Sequence, residues 1–391
     1  MTPCPDAAAT ARSVHPRLRA LRGASLASDP EIAVRQVREA IDQPGMRAVV
    51  LFCSPAYDLR LLGAAIGAAF PCPVLACTTA GQIGPDGHQR GGLVAASLAG
   101  GALEVRPFLI SPLAECRQGA AAAGAEVRAW LEDRPPDRRA FGLLLVDGLC
   151  GCEEGLAAAL YQSLGNVPLV GGSAGDDLRF ERTAVYWDGE FRSDAALFAL
   201  LETSCEFATF KLHDFAPTAR RLVVTEADAS RRLVSEIGGL TAARAYAECL
   251  GLEAGQLDAT VYSRYPLLLR IGDDHYVRSV QRVNPDGSLV FFCAIEEGLV
   301  LTVGEVLDPV ASLERGLAEI EQALGAPSLI IGCDCILRRL EQERRQVDGR
   351  VGELLAAKRM VGFSTYGEQF DALHLNQTLV GVALGGRSWS P

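Results

Sequence analysis

Few side chains in this sequence have chemistry to offer. There are five histidines, at positions 15, 88, 213, 275 and 374. The twelve cysteines include two Cys-x-Cys pairs, Cys150-Gly151-Cys152 and Cys333-Asp334-Cys335. Four converging thiolates would bind zinc, and paired thiols exchange with disulfides, but neither pair has the usual two-residue spacing of a zinc site. Most cysteines sit in apolar runs such as Leu51-Phe52-Cys53, where a reduced thiol acts as a small hydrophobe. Three turns combine hydroxyls, glycine and a polar or acidic end: Thr79-Ala80-Gly81-Gln82, Ser173-Ala174-Gly175-Asp176 and Thr365-Tyr366-Gly367-Glu368. Such groups bind a small polar ligand, or they satisfy strand-end backbone, with the glycine serving a positive φ. There is no Walker loop, Ser-x-x-Lys, His-Glu-x-x-His or nucleophile elbow. Asp147, Ser173, Thr365 and Glu368 form no acid–base set by spacing, so the sequence assigns no catalytic residue.

The elements that must position these groups repeat. Apolar runs at 48–52, 141–146 and 328–332 read as buried strands. Each precedes a helical segment, a second apolar run and one of the three turns. The distance from strand start to turn glycine is 33 residues (48 to 81), 34 (141 to 175) and 39 (328 to 367). A polar turn after a buried strand is where α/β proteins place ligands. Strand pairs follow each turn: 93–98 with 103–108 as a hairpin, a second hairpin around Asp188-Gly189 continuing to 201, and a strand over 377–384. A helix is expected over 30–43 with Asp29 as N-cap, and another over 112–132. Residues 206–327 break the repeat, with a helix over 241–250 and an antiparallel meander over 266–294. The expected fold class is mixed α/β, with α+β character. The expected division is a loose lead-in over 1–28, an N-terminal domain over 29–210 holding two repeats, and a C-terminal domain over 211–391 holding the meander and the third.

Composition narrows the function. The length of 391 residues with 49% hydrophobic content supports a substantial core. A net charge of −11 argues against a nucleic-acid surface. No apolar run reaches membrane-spanning length, and no signal peptide is evident. A cytoplasmic, thiol-reduced protein is expected.

Several motifs in order carry a resemblance to a known family. They are Asp147-Gly148-Leu149 ahead of a helix, Gly171-Gly172-Ser173-Ala174-Gly175-Asp176 after a strand, and Thr225-Glu226-Ala227-Asp228 leading to Glu236-Ile237. The tail Gly362-Phe363-Ser364-Thr365-Tyr366-Gly367-Glu368, followed by His374-Leu375-Asn376-Gln377-Thr378-Leu379, completes the set. The chain resembles FIST-domain proteins, which pair an N-terminal with a C-terminal FIST domain, over roughly residues 35–385. Within that family it resembles the haem-binding, nitric-oxide-sensing subgroup (NosP). That likeness leans on Cys77 to Ile83, Leu212 to Thr218 and Arg221 to Asp228. It implies a bacterial sensor that binds haem b, detects nitric oxide and adjusts a partner histidine kinase or cyclic-di-GMP enzyme. The chain shows no kinase, GGDEF or EAL segment, so a separate partner is expected to carry the output, and a homodimer is open.

On that reading an imidazole would ligate the iron. His213 is the first choice: Phe215 would wall the porphyrin, and Lys211, Arg220 and Arg221 would pair with propionates. The alternative for His213 is a partly buried histidine capping a linker. His374 is the second candidate. The turn residues Thr79, Gly81, Ser173, Gly175, Asp176, Thr365, Tyr366 and Glu368 form an expected ligand pocket. Two other readings stand beside the haem sensor. One is a haem-free sensory module binding a small metabolite such as an amino acid. The other is a thiol- or hydroxyl-dependent hydrolase.

Overall fold

The structure, a computed structural model, describes residues 17–388. His15 lies outside the described residues. The fold is mixed α/β, as expected, and its repeats form one body rather than two.

Three six-stranded sheets share a single strand plan. The first runs Arg19–Ser25, Leu93–Ala99, Met46–Cys53, Val74–Thr78, then the hairpin Val185–Trp187 and Glu190–Arg192. The second runs Glu104–Ile110, Ala196–Thr203, Arg139–Val146, Leu169–Ser173, then Glu368–Phe370 and Leu373–Leu375. The third runs Cys205–Leu212, Leu379–Ser388, Pro327–Cys335, Met360–Thr365, then Gln82–Gly84 and Gly87–Gln89. Within each sheet the two central repeat strands pair in parallel, with Phe52 opposite Cys77, Leu145 opposite Gly172 and Cys333 opposite Phe363. The hairpin after each turn leaves its own unit and completes the sheet of another. Hairpin one joins unit three, hairpin two joins unit one, and hairpin three joins unit two. The three units therefore close into a ring with pseudo-threefold symmetry.

Period-two burial explains why the sheets enclose a common core. Val50, Phe52, Phe141, Leu143, Leu145, Leu329, Ile331 and Cys333 face inward together. The Phe52 and Phe363 rings stack there at 4.6 Å between centroids. The alternate residues face outward against helices. Val49 and Leu51 meet the helices Pro30–Ile41 and Leu59–Ala69. Leu144 and Val146 meet Cys116–Glu132 and Glu153–Leu164, and Ile330 meets Pro309–Leu324 and Asp348–Ala357. Asp29 caps the first helix by accepting from the Ile32 amide at 2.9 Å, as its position implies.

Several expectations need correction. Residues 19–25, placed in the loose lead-in, form a strand paired along its length with Leu93–Ala99. The runs at 93–98 and 103–108 do not pair as a hairpin; Leu93–Ala99 lies in the first sheet and Glu104–Ile110 in the second. Likewise Val185–Trp187 pairs with Glu190–Arg192, while Ala196–Thr203 runs in a different sheet.

The meander is an inserted domain. In units one and two the first strand leads directly to a helix (Pro30–Ile41, Cys116–Glu132). In unit three residues 213–308 intervene between Cys205–Leu212 and Pro309–Leu324. The inserted domain is an eight-stranded antiparallel sheet around its own core of Val234, Tyr246, Leu267, Phe291 and Leu301. The helix Ala242–Leu250 packs on it, and Gly251 ends that helix with φ 74°.

Candidate functional site

The three turns meet on the pseudo-threefold axis and hydrogen-bond in a closed ring. The Ala80 amide donates to the Ser364 carbonyl (3.0 Å), Gly175 to Thr78 (3.0 Å) and Tyr366 to Ser173 (3.2 Å). A second ring runs from the amides of Ser364, Ser173 and Thr78 to the carbonyls of Gly81, Gly367 and Ala184 at 2.8, 2.8 and 3.0 Å. Ala184 thus holds in unit two the place that Gly81 and Gly367 hold elsewhere, and 176–183 is an extra loop. Gly175 matches Ala80 and Tyr366, not the other two glycines. Its need is close approach: a Cβ there would lie 2.6 Å from the Ala80 nitrogen. Of the three, only Gly81 has a positive φ, 135°.

The sequence-derived pocket residues therefore knit strand ends together. Thr79, Ser173, Thr365 and Glu368 are fully buried. Thr79 Oγ1 donates to the Cys53 carbonyl at 3.0 Å, and Ser173 Oγ accepts from Gln369 Nε2 at 3.0 Å. Glu368 accepts from the Thr365 hydroxyl and from the Thr378 amide (3.2 Å) and hydroxyl (2.9 Å). Burial pushes its carboxyl up to about 8 despite those donors. The Tyr366 hydroxyl donates to the Asp176 carboxylate and accepts from the Leu178 amide at 2.7 Å. Asp176 in turn accepts from the Phe180, Glu181 and Arg182 amides at 2.7–2.9 Å, which folds the extra loop around it.

Space opens beside this ring, where each unit's loop after its first parallel strand meets the turn of the next. The three positions differ. In unit one the loop Pro55–Arg60 and the segment 176–191 bound an open cleft of about 660 Å³. In unit three the position is filled by the helix Ile336–Arg344. Arg339 lies so close that a Cβ on Gly81 would sit 2.3 Å from its Nη1, and Ile336 and Leu337 pack on Ala80 and Tyr366. In unit two the inserted domain borders the position and leaves a half-open pocket of about 210 Å³. Gly148, Leu149, Gly151 and Glu153 line it from the body, with Tyr366 and Phe180. Arg231, Arg232, Gln281 and Phe292 line it from the inserted domain.

This pocket has both chemistry and an anchored wall. Phe180 stacks on Tyr366 at 4.8 Å and approaches Phe292 at 6.2 Å, giving an aromatic wall. Arg232 donates to Glu153 at 2.6 Å and to Glu154 at 2.7 Å, bridging inserted domain and body. The Ala294 amide donates to Glu154 at 2.9 Å, and Arg278 to the His374 carbonyl at 3.2 Å. Both glutamates begin the helix Glu153–Leu164, where the macrodipole favours negative charge. Asp147 shapes the loop between: it accepts from the Thr183 hydroxyl, the Leu149 amide (3.1 Å) and the Asp194 amide (2.7 Å). Sequence reading missed Glu153, Glu154, Arg231, Arg232, Phe180 and Phe292; the acidic start of that helix was the available signal.

The expected haem residues are brought together only in part: His213, Phe215 and Lys211 are neighbours, whereas Arg221 lines a separate groove and His374 is buried in the body. His213 is exposed, with one ring face on Phe215 at 4.2 Å. Phe215 itself is buried with Leu268 and Val277. Lys211 lies over the Tyr276 ring and pairs with Asp274 at 3.3 Å. Arg220 is exposed, while Arg221 lines an open groove of about 570 Å³ with Arg270, His275, Leu269 and Leu299. The imidazole facing that groove is His275, not His213. His374 is buried in the body, where Nδ1 meets Gln369 at 3.1 Å and burial lowers its pKa. The groove joins one imidazole to two guanidiniums. No group of three or more His, Cys, Asp or Glu residues able to hold a metal ion occurs among the described residues. Cys333 and Cys335 are buried, so the two Cys-x-Cys pairs do not form a zinc site. No helix is long and apolar enough to cross a membrane among the described residues.

Comparison with protein families settles the ancestry. The FIST N domain model matches residues 47–240 and the FIST C domain model residues 242–371. This chain belongs to the FIST family. FIST domains are sensory domains of signal transduction. No curated protein matches the chain. The family boundary at 240–242 falls inside the inserted domain, and in this FIST protein two of the three six-stranded sheets combine strands from both halves.

Proposed function

We propose that this FIST protein senses a small carboxylate metabolite of amino-acid size, held in the cavity between the threefold body and the inserted domain. One observation carries the reading: of three equivalent strand-end positions, one is lined by the body alone, one is filled by a helix, and one lies between the body and the inserted domain with an aromatic and charged lining. Ligand sites in α/β proteins favour strand C-terminal ends and domain junctions. Arg231 would meet a carboxylate, Glu153 an ammonium, and Phe180 and Phe292 the apolar part. Because the inserted domain and the body are joined through Arg232, a ligand that reorders that contact shifts how the inserted domain sits, which is a signal a partner can read. A separate histidine kinase or cyclic-di-GMP enzyme is the proposed recipient. A thermal-shift screen of the standard amino acids and small dicarboxylates tests this. At least one should raise the melting temperature, and go on raising it with the logarithm of its concentration above saturation, and Arg231→Glu or Phe292→Ala should abolish the shift.

A second reading has its own observation. The groove bearing His275, Arg221 and Arg270 suits a flat dianionic cofactor such as haem b, which when bound would supply an iron site for nitric oxide. His275 would ligate, and the two arginines would hold the propionates. Reconstitution should then give a Soret band that shifts with nitric oxide and is lost in His275→Ala. A band lost in His213→Ala instead returns the assignment to His213, and no band at all removes the reading.

A further inference from the structure

One cluster remains outside every role above. Cys150 and Cys152 flank Gly151 in the loop between the strand Arg139–Val146 and the helix Glu153–Leu164. Their sulfurs share a hydrogen bond at 3.4 Å. Both are partly exposed, and Gly151 between them is exposed with φ 70°. Cys152 also hydrogen-bonds Cys116, which is buried at the start of the helix Cys116–Glu132, while Cys53, Cys77, Cys333 and Cys335 are all buried in strands. The same loop supplies Gly148, Leu149, Gly151 and Glu153 to the wall of the cavity beside the inserted domain.

We infer that Cys150 and Cys152 form a dithiol–disulfide site, oxidised by a low-molecular-weight disulfide such as glutathione disulfide, whose closure reshapes the cavity wall. A disulfide needs a sulfur separation near 2.05 Å, so the loop must contract from its present 3.4 Å. Cys152 is the N-cap residue of the helix, where thiolates are favoured. The shared hydrogen bond makes its thiol the more acidic of the two and Cys150 the less acidic. The Cys152 thiolate attacks one sulfur of glutathione disulfide, the S–S bond breaks, and one glutathione thiolate leaves and takes a proton. The Cys150 thiol loses its proton to solvent and attacks the Cys152 sulfur of the mixed disulfide, expelling the second glutathione. The protein dithiol loses two electrons and two protons, and the glutathione disulfide gains them as two thiols.

Contraction pulls on the first turn of the helix, which carries Glu153 and Glu154 and hence the Arg232 bridge to the inserted domain. The dithiol site stands on its own geometry; its effect on ligand binding rests on the reading of the cavity above. The full chain is equilibrated in glutathione buffers of rising oxidised fraction, alkylated and digested with trypsin. The fragment Ala140–Arg179 holds both cysteines and no others. It should lose two hydrogens and both alkylation sites, and recover them on reduction. In Cys150→Ser, Cys152 should retain one glutathione instead. Two thiols that stay alkylatable throughout, or a cross-link from Cys152 to Cys116, would overturn the pair. Hydrogen exchange on the oxidised protein should change at residues 147–154 and at Ala294; a disulfide that forms without that change overturns the coupling to the inserted domain while leaving the cavity reading untouched.

Discussion

Replacing Arg232 by methionine removes the one guanidinium that neutralises Glu153 and Glu154 across the boundary between body and inserted domain. The Glu153 side chain is only 2% exposed, so its charge cannot find water without rearrangement. Breaking a buried ion pair by deleting one partner costs about 3–5 kcal/mol. Arg232 is 17% and Glu154 31% exposed, so the lower end applies, at about 3 kcal/mol. That is roughly a hundredfold in the folding equilibrium. Urea unfolding followed by circular dichroism measures it. A double-mutant cycle with Glu153→Gln isolates the pair, because the glutamine leaves no stranded charge and should recover at least about 1.5 kcal/mol of the loss. In the Arg232→Met protein the Ala294 amide should also exchange faster, since the Glu154 carboxylate that accepts it is no longer held. A cost below about 0.5 kcal/mol, the range of ordinary surface substitutions, together with zero coupling to Glu153, would refute the argument that this bridge clamps the inserted domain.

Three further outcomes follow from the ring of turns. Gly175→Ala should destabilise by about 1–3 kcal/mol, because the new Cβ meets backbone that is itself hydrogen-bonded and cannot yield; calorimetry reads it. Tyr366→Phe removes one of the donors to the Asp176 carboxylate and strands the Leu178 amide, so it should cost about 1–3 kcal/mol and make the 176–183 loop a protease target, which limited proteolysis checks. Glu368 titrates in the folded chain near 8 instead of its ordinary 4.5, so the folded chain keeps a proton that the unfolded chain releases. Its contribution to stability is therefore full below about pH 4.5 and falls as pH rises to about 8, by up to about 1.4 kcal/mol per unit. Glu368→Gln should flatten the stability–pH curve across that window, and an unchanged slope would contradict the burial argument.

Much of the scaffold was legible from the sequence. The apolar runs at 48–52, 141–146 and 328–332 are the inward- and outward-facing strands at the heart of each sheet, because a strand covered on both faces reads as a continuous apolar run. The hydroxyl turns were legible as a repeated feature, and the antiparallel meander as a break in it. The exchange of hairpins was not. Nothing local in Gln82–Gly84 or Glu368–Phe370 says which sheet edge it will join, since the partner strands lie hundreds of residues away. Through that exchange, strands from distant parts of the chain share one sheet. The strand Arg19–Ser25 was hidden by its arginines, whose side chains reach out to the Pro44 and Met360 carbonyls while Ala20, Gly23 and Ser25 are buried. The cavity beside the inserted domain was the hardest to see. Its residues come from six separate places, 148–153, 180, 231–232, 281, 290–292 and 366, and each alone reads as an ordinary loop or strand. His213 stands where the repeat is interrupted, at the start of the inserted domain.

The central claim is that the position beside the inserted domain, among three equivalent ones, is the sensory site. Hydrogen exchange with and without a ligand found in the thermal screen tests it in one experiment. The claim requires protection at 147–153, at 290–294 and around Tyr366. Protection confined to 55–60 and 176–191 would assign the ligand to the open cleft, and protection confined to 217–221 and 269–275 would assign it to the groove; either result contradicts the claim.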